Sequence, residues 1–172
     1  MEKTFLDTGN LEAGIHTYKI DTFERQFVSG FPESVSRSAI YENFRKWIEM
    51  LLSILPPRCV WLDGSFLTKK TNPNDIDLII FYEPEDFTNA DLAAKVQHHV
   101  NVVSRNMNCD AYLCFTFDHW DPADLQNLPN EVRISRTYWM GQFSYDRQMN
   151  PKGMVKFSQE EIMSKLIGGV TK

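Results

Sequence analysis

Two short segments of this chain carry residue types that suit phosphate and metal chemistry. Gly64-Ser65 follows the apolar run 59–62, and Asp75-Ile76-Asp77 opens a second apolar run after nine intervening residues. Because side chains alternate along a strand, Asp75 and Asp77 would project from one face about 7 Å apart. Two carboxylates in that arrangement repel each other, and a hard divalent cation relieves the repulsion. The spacing therefore predicts a Mg²⁺ or Mn²⁺ site held by Asp75 and Asp77.

The first segment suits the binding of an anion beside such a cation. Gly64 lets the backbone approach a phosphate closely, and Ser65 supplies a hydroxyl and an N–H group at the start of a turn or short helix. Lys69 and Lys70 lie between the two motifs, where they either reach a triphosphate or belong to a solvated loop. We predict a nucleotide-binding role for these four residues.

Basic residues of the last third offer further contacts for an anion. Segment 146–153 has the character of an anion-contacting turn, so Arg147 and Lys152 are predicted to bind nucleotide. Arg133 and Arg136 are further candidates. For all four side chains the alternative is an ordinary surface charge.

Several other residues have a structural interpretation. An Asp-x-Asp triplet is frequent by chance, and at a strand start it would otherwise cap the turn 72–74. Asp63 is interpreted as a turn former before Gly64, and His99 as a partly buried helix residue. Three aromatic side chains are assigned to core packing rather than to base stacking: Tyr138, Trp139 and Phe143.

Hydrophobic periodicity predicts an α/β layout. Apolar residues at spacings of three and four mark a long helix over 36–55, which Pro56-Pro57 ends. Short β-prone runs predict strands at 59–62, 75–82 and 109–117. Weaker patterns predict a helix that opens at Thr88, a helix over 131–144, an edge strand at 153–157, and a terminal helix from the capping box Ser158-x-x-Glu161 to Gly168-Gly169.

The composition indicates one soluble globular domain, 1–172. The chain is 42% hydrophobic and 24% charged, which excludes intrinsic disorder. Its three cysteines form no C-x-x-C motif, which predicts reduced thiols. The sequence predicts neither a membrane span nor a signal peptide, so we expect a cytoplasmic protein. The net charge of −5 argues against sequence-specific binding of duplex DNA. Residues 125–172, however, carry a net charge of +3.

The motifs together resemble those of the nucleotidyltransferase (DNA polymerase β-like) superfamily. The matching pattern is an apolar strand, Gly64-Ser65, nine residues, and Asp75-Ile76-Asp77. The resemblance implies a mixed β-sheet flanked by helices, with Gly-Ser on the nucleotide phosphates and Asp-x-Asp on the metal. It also implies a third carboxylate on a neighbouring strand, and Asp110 stands in the matching place. This core covers about 36–117 and leaves 118–172 as a C-terminal extension.

More narrowly, the whole chain resembles a small bacterial family of unknown function with a nucleotidyltransferase-like core. Four segments carry this likeness: 14–16, 61–66, 73–77 and 138–153. Related minimal nucleotidyltransferases include antitoxins that adenylylate a partner toxin, toxins that modify tRNA, and antibiotic-modifying enzymes.

The sequence thus favours a Mg²⁺-dependent enzyme that transfers a nucleoside monophosphate from an NTP to a hydroxyl group of a protein or RNA acceptor. In that hypothesis Asp75, Asp77 and Asp110 are the catalytic and metal-binding residues, and a partner toxin is one candidate acceptor. The alternative is a non-catalytic module that binds nucleotide or a partner on the same fold. A role in a toxin–antitoxin or phage-defence pair is compatible with both.

Overall fold

A five-stranded mixed sheet forms the centre of the molecule, and the computed structural model describes residues 1–166. The strand order is β1-β5-β2-β3-β4. The pairs β1/β5 and β3/β4 are parallel, whereas β5/β2 and β2/β3 are antiparallel. The strands are β1 (Gly14–Thr17), β2 (Cys59–Asp63), β3 (Ile76–Tyr82), β4 (Cys109–Phe115) and β5 (Gly153–Ser158).

Six α-helices flank this sheet within the described residues, which confirms the predicted α+β class. The long helix α2 ends within one residue of its prediction, just before the Pro56-Pro57 pair that cannot continue it. The helices are α1 (Ile20–Glu24), α2 (Arg37–Ile54), α3 (Ala90–His98), α4 (Pro122–Leu125), α5 (Asn130–Phe143) and α6 (Gln159–Leu166).

The two faces of the sheet are covered unequally. Helices α1, α2, α3 and α6 contribute to the larger core, which contains the even-numbered side chains of β3 such as Ile76 and Leu78. On the other face, α5 packs through Phe143 and Trp139 on a smaller apolar cluster that includes Trp61 and Ile79. By alternation along their strands, Asp63, Asp77 and Asp110 belong to this second face.

Some local predictions are wrong. Helix α3 is capped by Asn89 rather than Thr88, because the Asn89 side chain accepts a hydrogen bond from the Leu92 N–H at 2.9 Å. Strand β5 is an interior strand rather than an edge strand, since it pairs with both β1 and β2. Tyr138 is 56% exposed and does not belong to the core, whereas Phe143 is buried as predicted.

The start of α6 agrees with its predicted capping box. The capping interaction at the start of α6 is present, because the Ser158 hydroxyl accepts from the Glu161 N–H at 3.3 Å. The predicted end of that helix, at Gly168-Gly169, lies outside the described residues.

Among residues 1–166, no helix has the length and apolar character needed to cross a membrane. All three cysteines are free and buried.

Candidate functional site

Four aspartates meet where β2 ends and where β3 and β4 begin. The strand register places Asp77 opposite Asp63 on β2 and opposite Asp110 on β4, while Asp75 lies just before β3. The structure therefore brings together the three carboxylates predicted from the sequence. It adds Asp63, which the sequence assigned to a turn and which is almost completely buried.

The Gly-Ser segment lies directly against this acidic cluster. Gly64 has φ +82° and ψ −168°, a conformation that is open essentially to glycine alone. A Cβ atom built at Gly64 would overlap Oδ2 of Asp77 and would lie 2.7 Å from its Cγ. Ser65 begins a short 3-10 turn, and the Leu67 N–H donates to the Gly64 carbonyl at 3.1 Å. The two motifs that the sequence paired by spacing are thus in contact.

Burial and mutual repulsion make the cluster electrostatically unfavourable by itself. The pKa of Asp77 is raised to about 7, with burial as the largest cause; the charges of Asp63, Asp75 and Asp110 act in the same direction, and Lys152 opposes them. Burial raises the pKa of Asp63 to about 6 despite the nearby lysine. The Oδ1 atom of Asp63 has no hydrogen-bond partner among residues 1–166. A bound cation would reduce the repulsion among the carboxylates and would give this oxygen atom a partner.

Asp110 is held in place by a residue that sequence reasoning missed. The hydroxyl of Tyr112, two positions further along β4, donates to Oδ2 of Asp110 at 2.9 Å. Burial raises the pKa of Tyr112 to about 12, and its bond to the Asp110 carboxylate acts in the same direction. Its ring packs against that of Trp139 with 4.5 Å between the centroids. The period of two in a strand is the only signal that could have indicated this pair.

Lys152 forms an ion pair with Asp63. The two side chains are only 14% and 2% exposed, so this pair lies within the protein rather than on its surface. The predicted nucleotide-binding role of Lys152 stays a prediction, but its observed partner is a carboxylate. The pair joins the segment before β5 to the residue that precedes Gly64.

The other predicted phosphate ligands lie on the surface. Lys69, Lys70 and Arg147 are exposed. The turn that carries Arg147 is ordered by Asp146, whose carboxylate accepts hydrogen bonds from the Asn10 side chain at 3.0 Å and the Asn150 N–H at 2.9 Å. Hydrogen bonds of this kind lower the pKa of Asp146 to about 2, and the bond from the Asn10 side chain is the largest cause.

Two arginines and one histidine make contacts outside the acidic cluster. Arg133 bonds Asn130 within α5, and Arg136 pairs with Asp118 at 2.6 Å, beyond the end of β4 that is opposite Asp110. His99 is 3% exposed and stacks on Trp47, which confirms its structural interpretation.

The side chains of the cluster fit a magnesium-type ion in chemistry, because all of them offer carboxylate oxygens. The unpartnered Oδ1 of Asp63 and the raised pKa of Asp77 agree with such a fit. As they stand, however, no three His, Cys, Asp or Glu side chains within residues 1–166 are arranged as a group that would hold an ion. Binding would require the carboxylates to turn toward a common point.

Comparison with known proteins places the whole sheet in one family. A model described as a family of unknown function, DUF6932, matches residues 3–158. That range begins before β1, ends at the last residue of β5 and includes all four aspartates of the cluster. No curated protein and no solved structure matches the chain at a significant level.

Proposed function

This chain belongs to the DUF6932 family of unknown function, and we propose that it is a Mg²⁺-dependent nucleotidyltransferase of the cytoplasm. It would transfer a nucleoside monophosphate from an NTP to a hydroxyl group of an acceptor and release pyrophosphate. In this proposal the likeness of its motifs to the nucleotidyltransferase superfamily supplies the reaction class, and the described geometry supplies the roles of the residues.

The close approach of Gly64 to Asp77 is the observation that carries the proposal. A site for NTP must place backbone N–H groups near phosphate oxygens and carboxylates near the cation that bridges those oxygens. The closeness of the Gly-Ser turn to the acidic cluster supports such a site, because the glycine has no side chain to separate them. Catalysis would then depend on in-line positioning and on charge neutralisation.

Each residue of the cluster has a separate proposed role. Asp75, Asp77 and Asp110 would hold the cation, which neutralises charge on the phosphates when it is bound. Asp110 is also the candidate general base for the acceptor hydroxyl, and Tyr112 fixes the orientation of its carboxylate. Gly64-Ser65 would receive the phosphates.

Surface lysines and arginines would assist at the phosphates. Lys69, Lys70 and Arg147 are exposed. In this proposal they reach the triphosphate. Lys152 balances the charge of Asp63. Its predicted contact with the nucleotide stays part of this proposal.

A groove beside Tyr112 bears on the acceptor. It has a volume of about 550 Å³ and runs along the outer side of β4 between α3 and α5. Phe87, Leu113, Phe115 and Trp139 line it, and no Lys or Arg among residues 1–166 does. Such a lining favours a protein segment as the acceptor over the phosphate-rich end of an RNA, although the basic C-terminal third would favour the RNA.

A non-catalytic module is the second candidate, and one observation favours it. The described residues hold no group of three acidic, histidine or cysteine side chains already arranged around an ion. A protein of this kind would bind nucleotide, or neutralise a partner such as a toxin, without turnover.

Pyrophosphate release separates the two candidates. The purified chain is incubated with Mg²⁺ or Mn²⁺, each NTP and candidate acceptors, and binding of each NTP is measured by calorimetry. The enzyme releases pyrophosphate, and the double variant Asp75→Ala/Asp77→Ala does not. Asp91→Ala, at an exposed aspartate of α3, is the matched control and keeps full activity. Tight binding without pyrophosphate release under either metal would establish the module instead.

A further inference from the structure

Arg37 is a completely buried arginine at the first position of α2. Its guanidinium donates hydrogen bonds to four backbone carbonyl groups at 2.7–2.8 Å. One belongs to Phe27, and the other three belong to the spacer between the Gly-Ser and Asp-x-Asp motifs: Phe66, Thr68 and Lys70. A single side chain therefore fixes the alternate carbonyls of that spacer.

The charge of Arg37 is directed at the backbone rather than at an acid. Among residues 1–166, no carboxylate forms an ion pair with it, and its guanidinium lies 3.7 Å from the ring centre of Phe31. Burial lowers its pKa to about 10, so the group stays charged at neutral pH. Hydrogen bonds from charged donors are stronger than those between neutral groups. Here the guanidinium forms three such bonds with the spacer and one with Phe27.

The residues just before Arg37 hold the second half of the same spacer. The Ser36 hydroxyl donates to the Pro73 carbonyl at 2.7 Å, and the Val35 N–H donates to the Asn72 side chain at 2.9 Å. The start of α2 therefore contacts the spacer from Phe66 to Pro73. Only Asn74 separates this anchored stretch from Asp75.

We propose that Arg37 is a positioning residue of the candidate site. It holds residues 66–70 in one conformation, so that Gly64-Ser65 stays against Asp77 and is ready to receive the phosphates of an NTP. This inference rests on the proposed function. Without the guanidinium, the spacer would regain conformational freedom that nucleotide binding must then remove again.

Arg37→Lys is the direct test, because an ammonium group keeps the charge but cannot span four carbonyls. Leu52→Ala is the control, since Leu52 is buried on the same helix about 22 Å from Arg37. Two quantities are measured in each variant. One is hydrogen–deuterium exchange at the amides of residues 67–69, and the other is the affinity for Mg²⁺ with each NTP.

We expect exchange at 67–69 to accelerate about 10-fold to 100-fold in Arg37→Lys, and NTP affinity to fall at least about tenfold. In Leu52→Ala both quantities keep their wild-type values after correction for the change in global stability. A variant at the exposed Asn72, Asn72→Ala, removes part of the same anchoring if Arg37→Lys fails to fold. This variant should show a smaller increase in exchange at 67–69 and a smaller loss of NTP affinity.

Two results would overturn the inference. The first is unchanged exchange at 67–69 in Arg37→Lys, or in Asn72→Ala if that variant has to replace it. The second is an NTP affinity equal to that of Leu52→Ala. If the wild-type chain binds no NTP, the proposed function fails, and the exchange measurement still decides whether Arg37 holds the spacer.

Discussion

The carboxylate of Asp77 occupies the space that a side chain on Gly64 would require. This relationship joins the end of β2 to the start of β3, and it explains why glycine stands at that turn. It also brings the backbone of the Gly64-Ser65 turn next to Asp77, a carboxylate whose pKa is strongly raised.

Replacing Gly64 tests the contact itself. Gly64→Ala should lower the free energy of unfolding by about 1–3 kcal/mol from backbone strain alone. It should also displace the Asp77 side chain and abolish NTP binding. Urea unfolding and calorimetry measure the two effects.

Gly141→Ala is the control for that substitution, because a Cβ at this helical position meets nothing within 4 Å. The control should be neutral or slightly stabilising, since alanine favours helix more than glycine does. Equal effects of the two substitutions would show that the Gly64–Asp77 contact has no special role.

The buried pair of Lys152 and Asp63 predicts a strong coupling. Lys152→Met leaves a carboxylate buried without its partner and should cost about 3–5 kcal/mol of stability. The double variant Lys152→Met/Asp63→Asn should recover most of that loss. Urea unfolding of the two single variants and the double variant measures the coupling, and additive effects would contradict the pairing.

The raised pKa of Asp77 predicts a pH-dependent stability in metal-free protein. A carboxyl with a pKa of about 7 when folded, against an ordinary 3.8, binds its proton more tightly in the folded state. Its contribution to stability is therefore present below pH 4 and is lost as the pH rises through 7. Asp77→Asn should match the wild type near pH 4 and exceed it by about 1–3 kcal/mol at pH 8.

Urea unfolding in the presence of EDTA gives this comparison. Asp91→Asn provides the control, because it makes the same substitution at an exposed aspartate outside the cluster. A constant difference between wild type and Asp77→Asn from pH 4 to 8 would mean that Asp77 is not destabilised by its neighbours. Mg²⁺ should stabilise the wild type and leave Asp77→Asn unchanged.

Local patterns were sufficient to predict much of the fold. The apolar face of α2, its end at Pro56-Pro57 and the strands β2 to β4 each depend on residues close together in the chain. The edge position predicted for β5 is wrong. Its partner β1 was not predicted, because it has only four residues and begins with glycine, which leaves little strand signal. The identity of a strand's neighbours is a long-range property that periodicity does not contain.

The site was predictable in part for the same reason. The contact of Gly64-Ser65 with Asp77 follows from two motifs on adjacent strands. By contrast, the pairing of Asp63 with Lys152 joins residues 89 positions apart, and a sequence gives no sign of it. The burial of Arg37 was also not predictable, because an arginine at a helix start ordinarily faces solvent. Burial of such charged groups becomes visible only in three dimensions.

The activity proposed for this chain is the transfer of a nucleoside monophosphate to an acceptor. Intact-mass spectrometry of the chain and of candidate acceptors, after incubation with Mg²⁺ and each of the four NTPs, tests it most directly. We predict a mass increase equal to one nucleoside monophosphate on an acceptor, absent without metal and absent in Asp75→Ala/Asp77→Ala. An equal increase with that double variant, or NTP binding with no mass increase and no pyrophosphate under Mg²⁺ or Mn²⁺, would contradict it.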